Sequence, residues 1–553
     1  MSVTSRIMSR LMKLPPATTP DPVVTRDVKV PMPDGVTLLA DLYTPRDGTT
    51  QYPTVLVRTP YGRRGLLGAI MALPFAERGY NVLFQSARGT AGSGGEFVYA
   101  RHERDDGLAT IAWITQQPWF NGELVMAGAS YLGFAQWSVA ASAGPELKAL
   151  APAITSSDFN HFRYQGGSAT LETTLDWSTM MTAGAGRGAL QMTLRDLLAQ
   201  RKRQRTLDRA YNHLPLREAD RLVIGKPSRI YQEFLAYGPE DDYWRPVNFS
   251  ETVRDVNVPV GMTSGWYDLF LYWQLLDYRR LRDAGKQPYL LIGPWYHGQP
   301  SSLGPITKDN LAWFDAHVKG KTGGLRERPV RLFVMGVNEW RDLADWPPPS
   351  RPERWFMQPD GGLATTPPAA SEPDHYRYNP ADPTPAVGGN SLGKYMGKKD
   401  NRQLEARPDV LVYTSPVLQR DLEIIGAVTA ELYVRSSLDD TDFFARLCVV
   451  EKSGKSLNLC DGIIRIAPGA SGAIRQDDGS LCVKIELWPT ANRFTRGQRI
   501  RLQVSSGAHP RFPRNPGSGE RLGDETTLKL AEQTVYHDPA HPSSITLPVT
   551  SGE

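Results

Sequence analysis

The sequence predicts an α/β domain that is interrupted by a helical insertion and followed by an all-β domain. Three observations predict it. Short apolar runs alternate with helical stretches over residues 23–155 and again over 250–345. Between them, residues 156–249 carry helix-like stretches and no convincing strand. Beyond the Pro-rich Trp346-Pro-Pro-Pro349, the chain breaks into short alternating segments with turn signals between them.

In order, residues 1–22 read as an arm that ends in Pro and Thr and has no core of its own. Val28, Val30, Val36, Leu38 and Leu42 alternate around Pro33-Asp34-Gly35, as in an antiparallel hairpin over 23–43. The runs 54–57, 81–84, 124–127 and 149–153 are nearly all apolar, as expected of parallel strands covered on both faces. Helices are expected near 67–78 and 103–117, and in the insertion at 171–181, 190–211 and 229–237. The alternation then returns with strands at 258–262, 289–292 and 331–334 and helices at 270–282 and 308–319. Segments 410–414, 424–434, 442–450, 462–466, 482–487 and 499–505 fit a β-sandwich, a jelly roll. The expected division is an arm (1–22), a core in two parts (23–155 and 250–345), a helical cap (156–249) and a β-domain (350–553).

Composition excludes several classes. Of 553 residues, 22% are charged and 40% apolar, the balance of an ordinary globular protein. A net charge of +4 on so long a chain argues against a nucleic-acid or membrane partner. Arg201-Lys202-Arg203-Gln204-Arg205 continues a helical pattern and reads as a solvated face. Cys448, Cys460 and Cys482 are few, odd in number and without metal spacing, so no disulfide framework is expected, and the serine chemistry read below requires no metal or cofactor. No run has the length of a membrane span, and the expected location is cytoplasmic. A homo-oligomer is compatible with this composition.

The chemistry centres on Glu123-Leu-Val-Met-Ala-Gly128-Ala129-Ser130-Tyr131-Leu132-Gly133, an apolar strand, a tight turn and a helix. Gly128 leaves room for a reversal that lifts Ser130 clear of the sheet, the geometry of a nucleophile elbow. The second glycine stands one residue later than in the usual G-x-S-x-G. A literal G-x-S-x-G occurs at Gly389-Asn390-Ser391-Leu392-Gly393, in a Pro/Gly-rich run with no strand before it and no helix after it, and context rejects it. A serine needs a base, and the base needs an orienting acid. Asp268, in Thr263-Ser-Gly-Trp-Tyr-Asp268, and His297, in Gly293-Pro-Trp-Tyr-His297, follow successive strands in the order Ser, Asp, His. His317 falls inside a helix and reads as structural. The backbone N–H of Tyr131 is one donor for a developing oxyanion. The Tyr61 phenol, on the loop Arg58-Thr-Pro60-Tyr61-Gly62, is either a second donor or packing. Phe270 and Trp177 are aromatic candidates for an acyl pocket, with core packing as the alternative. An α-amine would need a carboxylate cluster; Asp158, Glu172, Asp176, Glu240, Asp241 and Asp242 lie in the cap region.

These residues resemble the CocE/NonD hydrolases, which include bacterial cocaine esterases, α-amino-acid ester hydrolases and relatives of X-Pro dipeptidyl peptidases. The resemblance rests on Thr59-Pro-Tyr61, Arg88-Gly-Thr-Ala-Gly-Ser-Gly-Gly-Glu96, Gln117-Pro-Trp119, Gly128-Ala-Ser130-Tyr131-Leu-Gly133, Gly265-Trp-Tyr-Asp268 and Gly293-Pro-Trp-Tyr-His297. It runs on through Glu405-Ala-Arg-Pro-Asp409, Thr441-Asp442-Phe443 and Arg499-Ile-Arg-Leu-Gln503, covering roughly residues 25 to 520. It implies a triad of Ser130, Asp268 and His297, with the Tyr61 hydroxyl and the Tyr131 N–H as oxyanion donors. It also implies an α/β-hydrolase core, a helical cap and a C-terminal jelly roll. Ser86, Ala87 and Ala109 depart from the family pattern. The expected activity is hydrolysis of a small-molecule carboxylic ester through an acyl-enzyme. The alternatives are an amide or peptide hydrolase (an acylase, or X-Pro dipeptidyl peptidase-like) and, in another class, an inactive glycan-binding protein.

Overall fold

The hairpin β1 (Val23–Pro31) and β2 (Thr37–Thr44) opens a ten-stranded sheet in the computed structural model, which describes residues 3–46, 52–183, 194–469 and 472–550. Its further strands are β3 (Thr54–Thr59), β4 (Asn81–Ser86), β5 (Leu124–Ala129) and β6 (Leu147–Ala153). A two-stranded ribbon, β7 (Tyr164–Gln165) and β8 (Ser168–Ala169), stands apart from it. The main sheet resumes with β9 (Gly261–Tyr267), β10 (Tyr289–Tyr296), β11 (Val330–Val334) and β12 (Glu339–Leu343). The spatial order is β1-β2-β4-β3-β5-β6-β9-β10-β11-β12. Pairing is parallel from β4 to β11 and antiparallel at both edges. Strands β3 and β4 are buried at every position, which is why they carry no polar alternation.

Several strands run past their expected ends. The stretch Thr263 to Tyr267, read from the sequence as loop, is strand. At Gly265 a Cβ would sit 2.3 Å from the Trp295 carbonyl oxygen, so the glycine allows the close approach of β9 to β10. Strand β10 likewise continues to Tyr296. Asp268 and His297 are therefore the first residues beyond the C-terminal ends of adjacent strands. The helix expected at 67–78 is divided into Leu66–Met71 and Leu73–Ala76, with Pro74 in the second piece unable to continue the first. The arm carries an unexpected helix, Val3–Leu11, and docks where Arg78 Nη2 donates to the Pro15 carbonyl at 2.6 Å.

The insertion holds the helices Leu171–Thr182, Leu194–Ala210 and Arg229–Ala236. The start expected at 190 lies outside the described residues. The ribbon β7–β8 corrects the expectation of a strand-free cap. Its Gly166 lies so near the Ile463 carbonyl that a Cβ would meet it at 1.8 Å. Beyond residue 350 twelve strands form a second hydrogen-bonded array, the expected β-rich domain. Six of its strands were not anticipated: Arg351–Gln358, Gly362–Ala364, Asp374–Tyr378, Ala473–Arg475, Ala531–Tyr536 and Ser544–Val549. The first shows why, since only Trp355 and Met357 of its eight residues are buried and charged residues hide the period. No helix among the described residues is long and apolar enough to cross a membrane.

Candidate active site

Strand β5 ends on Ala129, and Ser130 turns sharply into the helix Tyr131–Ala140 with φ 59° and ψ −124°, a strained conformation for a residue with a side chain. Two glycines permit the turn. At Gly128, with φ +152°, a Cβ would lie 2.4 Å from that of Leu132, and at Gly133 a Cβ would lie 2.5 Å from Thr155 Cγ2. The backbone of Ser130 is fixed on both sides: its N–H donates to the Ala153 carbonyl at 2.9 Å, and its carbonyl accepts from Thr155 Oγ1 at 2.7 Å.

The three residues expected to act together do meet. His297 Nε2 lies 3.1 Å from Ser130 Oγ, and its Nδ1 lies 2.8 Å from Asp268 Oδ2. Asp268 is fully buried, and its other oxygen accepts from the Phe270 N–H at 2.8 Å. Both carboxylate oxygens are thus engaged, which fixes the plane of the carboxylate and through it the imidazole. Tyr131 is the first residue of its helix, where backbone N–H groups have no intrahelical acceptor. Its side chain points away, donating to Glu103 Oε1 at 2.8 Å, while Glu103 pairs with the buried Arg58 at 2.6 Å.

Tyr61 follows β3 and Pro60, and its hydroxyl accepts from Trp177 Nε1 at 3.0 Å. Burial pushes its pKa up to about 12, against the opposing pull of Trp177 and the neighbouring Ser130 side chain. The phenol therefore keeps its proton at neutral pH, as a donor must. Trp177 thus has a part that the sequence did not suggest, orienting this hydroxyl.

A cavity of about 340 Å³ opens over Ser130 and His297. Phe270 and Trp177 both line it. Phe159 and Phe162 extend the aromatic wall, with ring centroids 5.5 and 4.5 Å from that of Phe270. Of the six cap carboxylates, Asp176 alone lines the cavity. Asp158 is taken by His161 Nδ1 at 2.5 Å, and Glu240 reaches the other nitrogen of that ring at 3.2 Å. Asp241 caps Tyr243 N at 2.8 Å, Asp242 is exposed, and Glu172 is buried against Ser391. Among the described residues the cap assembles no carboxylate cluster in the cavity.

Ser391 lies far from this chemistry in its bonding: it is fully buried and donates to Glu172. Its neighbours matter more. Leu392 lines the cavity, and Asn390 Nδ2 donates to the carbonyls of Asp268 at 2.8 Å and Trp266 at 3.2 Å. Sequence reasoning passed over Asn390 and Leu392, and also Arg163 of the cap, because nothing local marks residues that only tertiary contact brings to a site. Of the departures from the family pattern, Ser86 accepts from Arg63 Nη1 at 3.0 Å, Ala87 is fully buried and Ala109 packs at the core edge.

The chain is similar to known proteins over nearly its whole length. Residues 34–299 match the X-Pro dipeptidyl-peptidase (S15) family, and residues 323–546 match the X-Pro dipeptidyl-peptidase C-terminal non-catalytic domain. A cocaine esterase of Rhodococcus sp. (strain MB1 Bresler) is 33% identical over 95% of this chain and 98% of its own length. The fold is shared with an aminopeptidase from the marine sediment archaeon Thaumarchaeota archaeon (TM-score 0.82, 23% identity, 97% of this chain and 98% of that one). It is also shared with an α-amino acid ester hydrolase (TM-score 0.81, 22% identity, again 97% and 98%). A hydrolase-type elbow, an imidazole bridging serine and aspartate, and likeness over nearly the whole length make this chain a member of the CocE/NonD hydrolase family.

Proposed function

We propose that the chain is a serine esterase acting on small carboxylic esters. The observation that supports this best is the Ser130–His297–Asp268 relay at the floor of an aromatic cavity. Ser130 Oγ attacks the ester carbonyl carbon as His297 Nε2 takes its proton. The carbonyl oxygen, now an oxyanion, meets the Tyr61 hydroxyl and the Tyr131 N–H. As the tetrahedral species collapses, the imidazolium protonates the leaving alcohol and the acyl group stays on Ser130. Water then repeats the sequence, giving its proton to His297 and its oxygen to the acid released. Asp268 remains ionised throughout and holds the imidazole tautomer.

Ester is favoured over peptide because the described residues of the cavity wall offer one carboxylate and no cluster for an α-amine. The near full-length relative at 33% identity, a cocaine esterase, points the same way. The glycan-binding reading gives no reason for a strained serine held against a histidine. The proposed division is the one expected above: arm 1–22, core 23–155 and 250–345, cap 156–249 and β-domain 350–553. Three unpaired cysteines suit a reducing cytoplasm, the location we assign. Fluorophosphonate labelling tests the nucleophile. Ser130→Ala should abolish labelling and burst-phase acylation, whereas Ser391→Ala should keep both within a few-fold. Labelling that persists in Ser130→Ala and vanishes in Ser391→Ala overturns the assignment. Turnover of esters over amides with matched acyl groups checks the substrate class.

A further inference from the structure

Among the described residues the arginines at most 2% exposed are Arg58, Arg163, Arg446 and Arg511, and three of these have a carboxylate. Arg58 meets Glu103 at 2.6 Å, Arg446 meets Asp461 at 2.9 Å, and Arg511 pairs with Asp461 as well. The fourth, Arg163, is 2% exposed, lines the cavity over Ser130, and makes no ion pair among the described residues. Nη2 donates to Asn160 Oδ1, and Nε has no acceptor. The Phe234 ring covers a guanidinium face at 3.7 Å, and the Trp244 ring lies 4.4 Å away. Such contacts attract a cation but do not neutralise it, and a buried cation without a counter-ion is costly. No carboxylate among the described residues makes an ion pair with Arg163, although Asp158 acts on it through space. Asp158 is held by His161 and by two backbone N–H groups. Asp176 accepts from the Tyr211 hydroxyl, and Arg203, the other guanidinium on the cavity wall, donates to its backbone carbonyl.

We propose that the missing counter-ion is the substrate's: Arg163 receives a free carboxylate, and the cavity takes small esters that carry one. This rests on the esterase reading of the same site. A carboxylate approaches a guanidinium in its plane, which ring stacking on the face leaves open. The opposite charge is disfavoured, because an ammonium drawn to Asp176 would share the cavity with two guanidinium groups. Burial also pushes Asp176 up to about 6, leaving part of it neutral in mildly acid solution.

The test compares three esters of equal length on the full chain at neutral pH: monophenyl adipate, phenyl hexanoate and phenyl 6-aminohexanoate. The expected order of kcat/KM has the adipate half-ester about 10–100-fold above the neutral ester, the scale of a charge-assisted hydrogen-bonded pair, and the amino ester last. In Arg163→Met the adipate-to-hexanoate ratio should fall by a similar factor, and Arg163→Lys should restore part of it. A wild-type enzyme that prefers the neutral or the amino ester overturns the inference, as does an unchanged ratio in folded Arg163→Met. Should that variant not fold, adipate as an inhibitor of wild-type phenyl hexanoate turnover decides: competition by adipate and none by hexane-1,6-diamine supports the carboxylate site, and the reverse sinks it. Phenyl hexanoate turnover with fluorophosphonate labelling reports the esterase reading separately. If both persist without a carboxylate preference, only the Arg163 inference fails.

Discussion

A phenol that donates to an oxyanion must hold its proton through turnover and point it at the reacting oxygen. Tyr61 meets the first demand by burial, which carries its pKa to about 12. Trp177 supplies the second, since by donating to the phenol oxygen at 3.0 Å it leaves the Tyr61 proton free for another acceptor. Tyr61→Phe removes the donor and also strands the Trp177 N–H. Two effects are therefore expected. Stability should drop modestly, by about 0.5–1.5 kcal/mol for one net hydrogen bond, since the Trp177 N–H is part-buried. Turnover per folded molecule should drop about 10²–10³-fold, mostly in kcat, because the lost bond strengthens in the transition state. Steady-state kinetics normalised to active-site titration separate the two. Full turnover per titrated site in a less stable variant would reduce Tyr61 to packing.

At the scale of elements, the sequence was most readable where a strand feeds a turn. Ser130, Asp268 and His297 each lie just past a strand end, and apolar runs and glycines mark those ends locally. The cavity wall was less readable. Phe159, Arg163 and Leu392 stand on a cap turn and a loop of the β-domain, so their meeting has no signature in spacing. One contact between such elements titrates. Glu172, on the cap helix Leu171–Thr182, is buried against Ser391 of the β-domain loop. Burial first, and then Asp176, raise its pKa from 4.5 to about 8, against the pull of Arg511 and Lys394. A folded pKa above the unfolded one means the stabilising contribution is complete below about 4.5 and is lost as pH rises through about 8. Glu172→Gln keeps the shape and cannot ionise. Its melting temperature relative to wild type should therefore climb between pH 5 and pH 9, read at one fixed scan rate. Parallel curves for the two proteins would show that Glu172 does not ionise against the fold in this range.

Across the whole molecule, the C-terminal domain does more than cover the core, although its family match describes a non-catalytic domain. Tyr267, the last residue of β9, donates from its hydroxyl to the Asn458 carbonyl at 3.0 Å, so the strand carrying Asp268 ends against the β-domain. Asn390 goes further, since its single amide nitrogen ties the carbonyls of Trp266 and Asp268. Asn390 is 5% exposed, so water is a poor substitute for it. The Asp268 carboxylate orients His297, and a small drift of its backbone is passed to Nε2, which must stay near 3.1 Å from Ser130 Oγ. Asn390→Ala leaves two buried carbonyls without this donor, and the loop between β9 and its following helix loses its outer support. The expected result is about a tenfold fall in kcat with KM little changed, because Asn390 does not itself line the cavity. Asn390→Asp should be worse, since it sets a carboxylate against two carbonyl oxygens. Measuring kcat, KM and the melting curve for both variants separates positioning from general loosening. If kcat per titrated site holds at the wild-type value in Asn390→Ala while the melting temperature falls, the β-domain stabilises the core without setting the aim of Asp268.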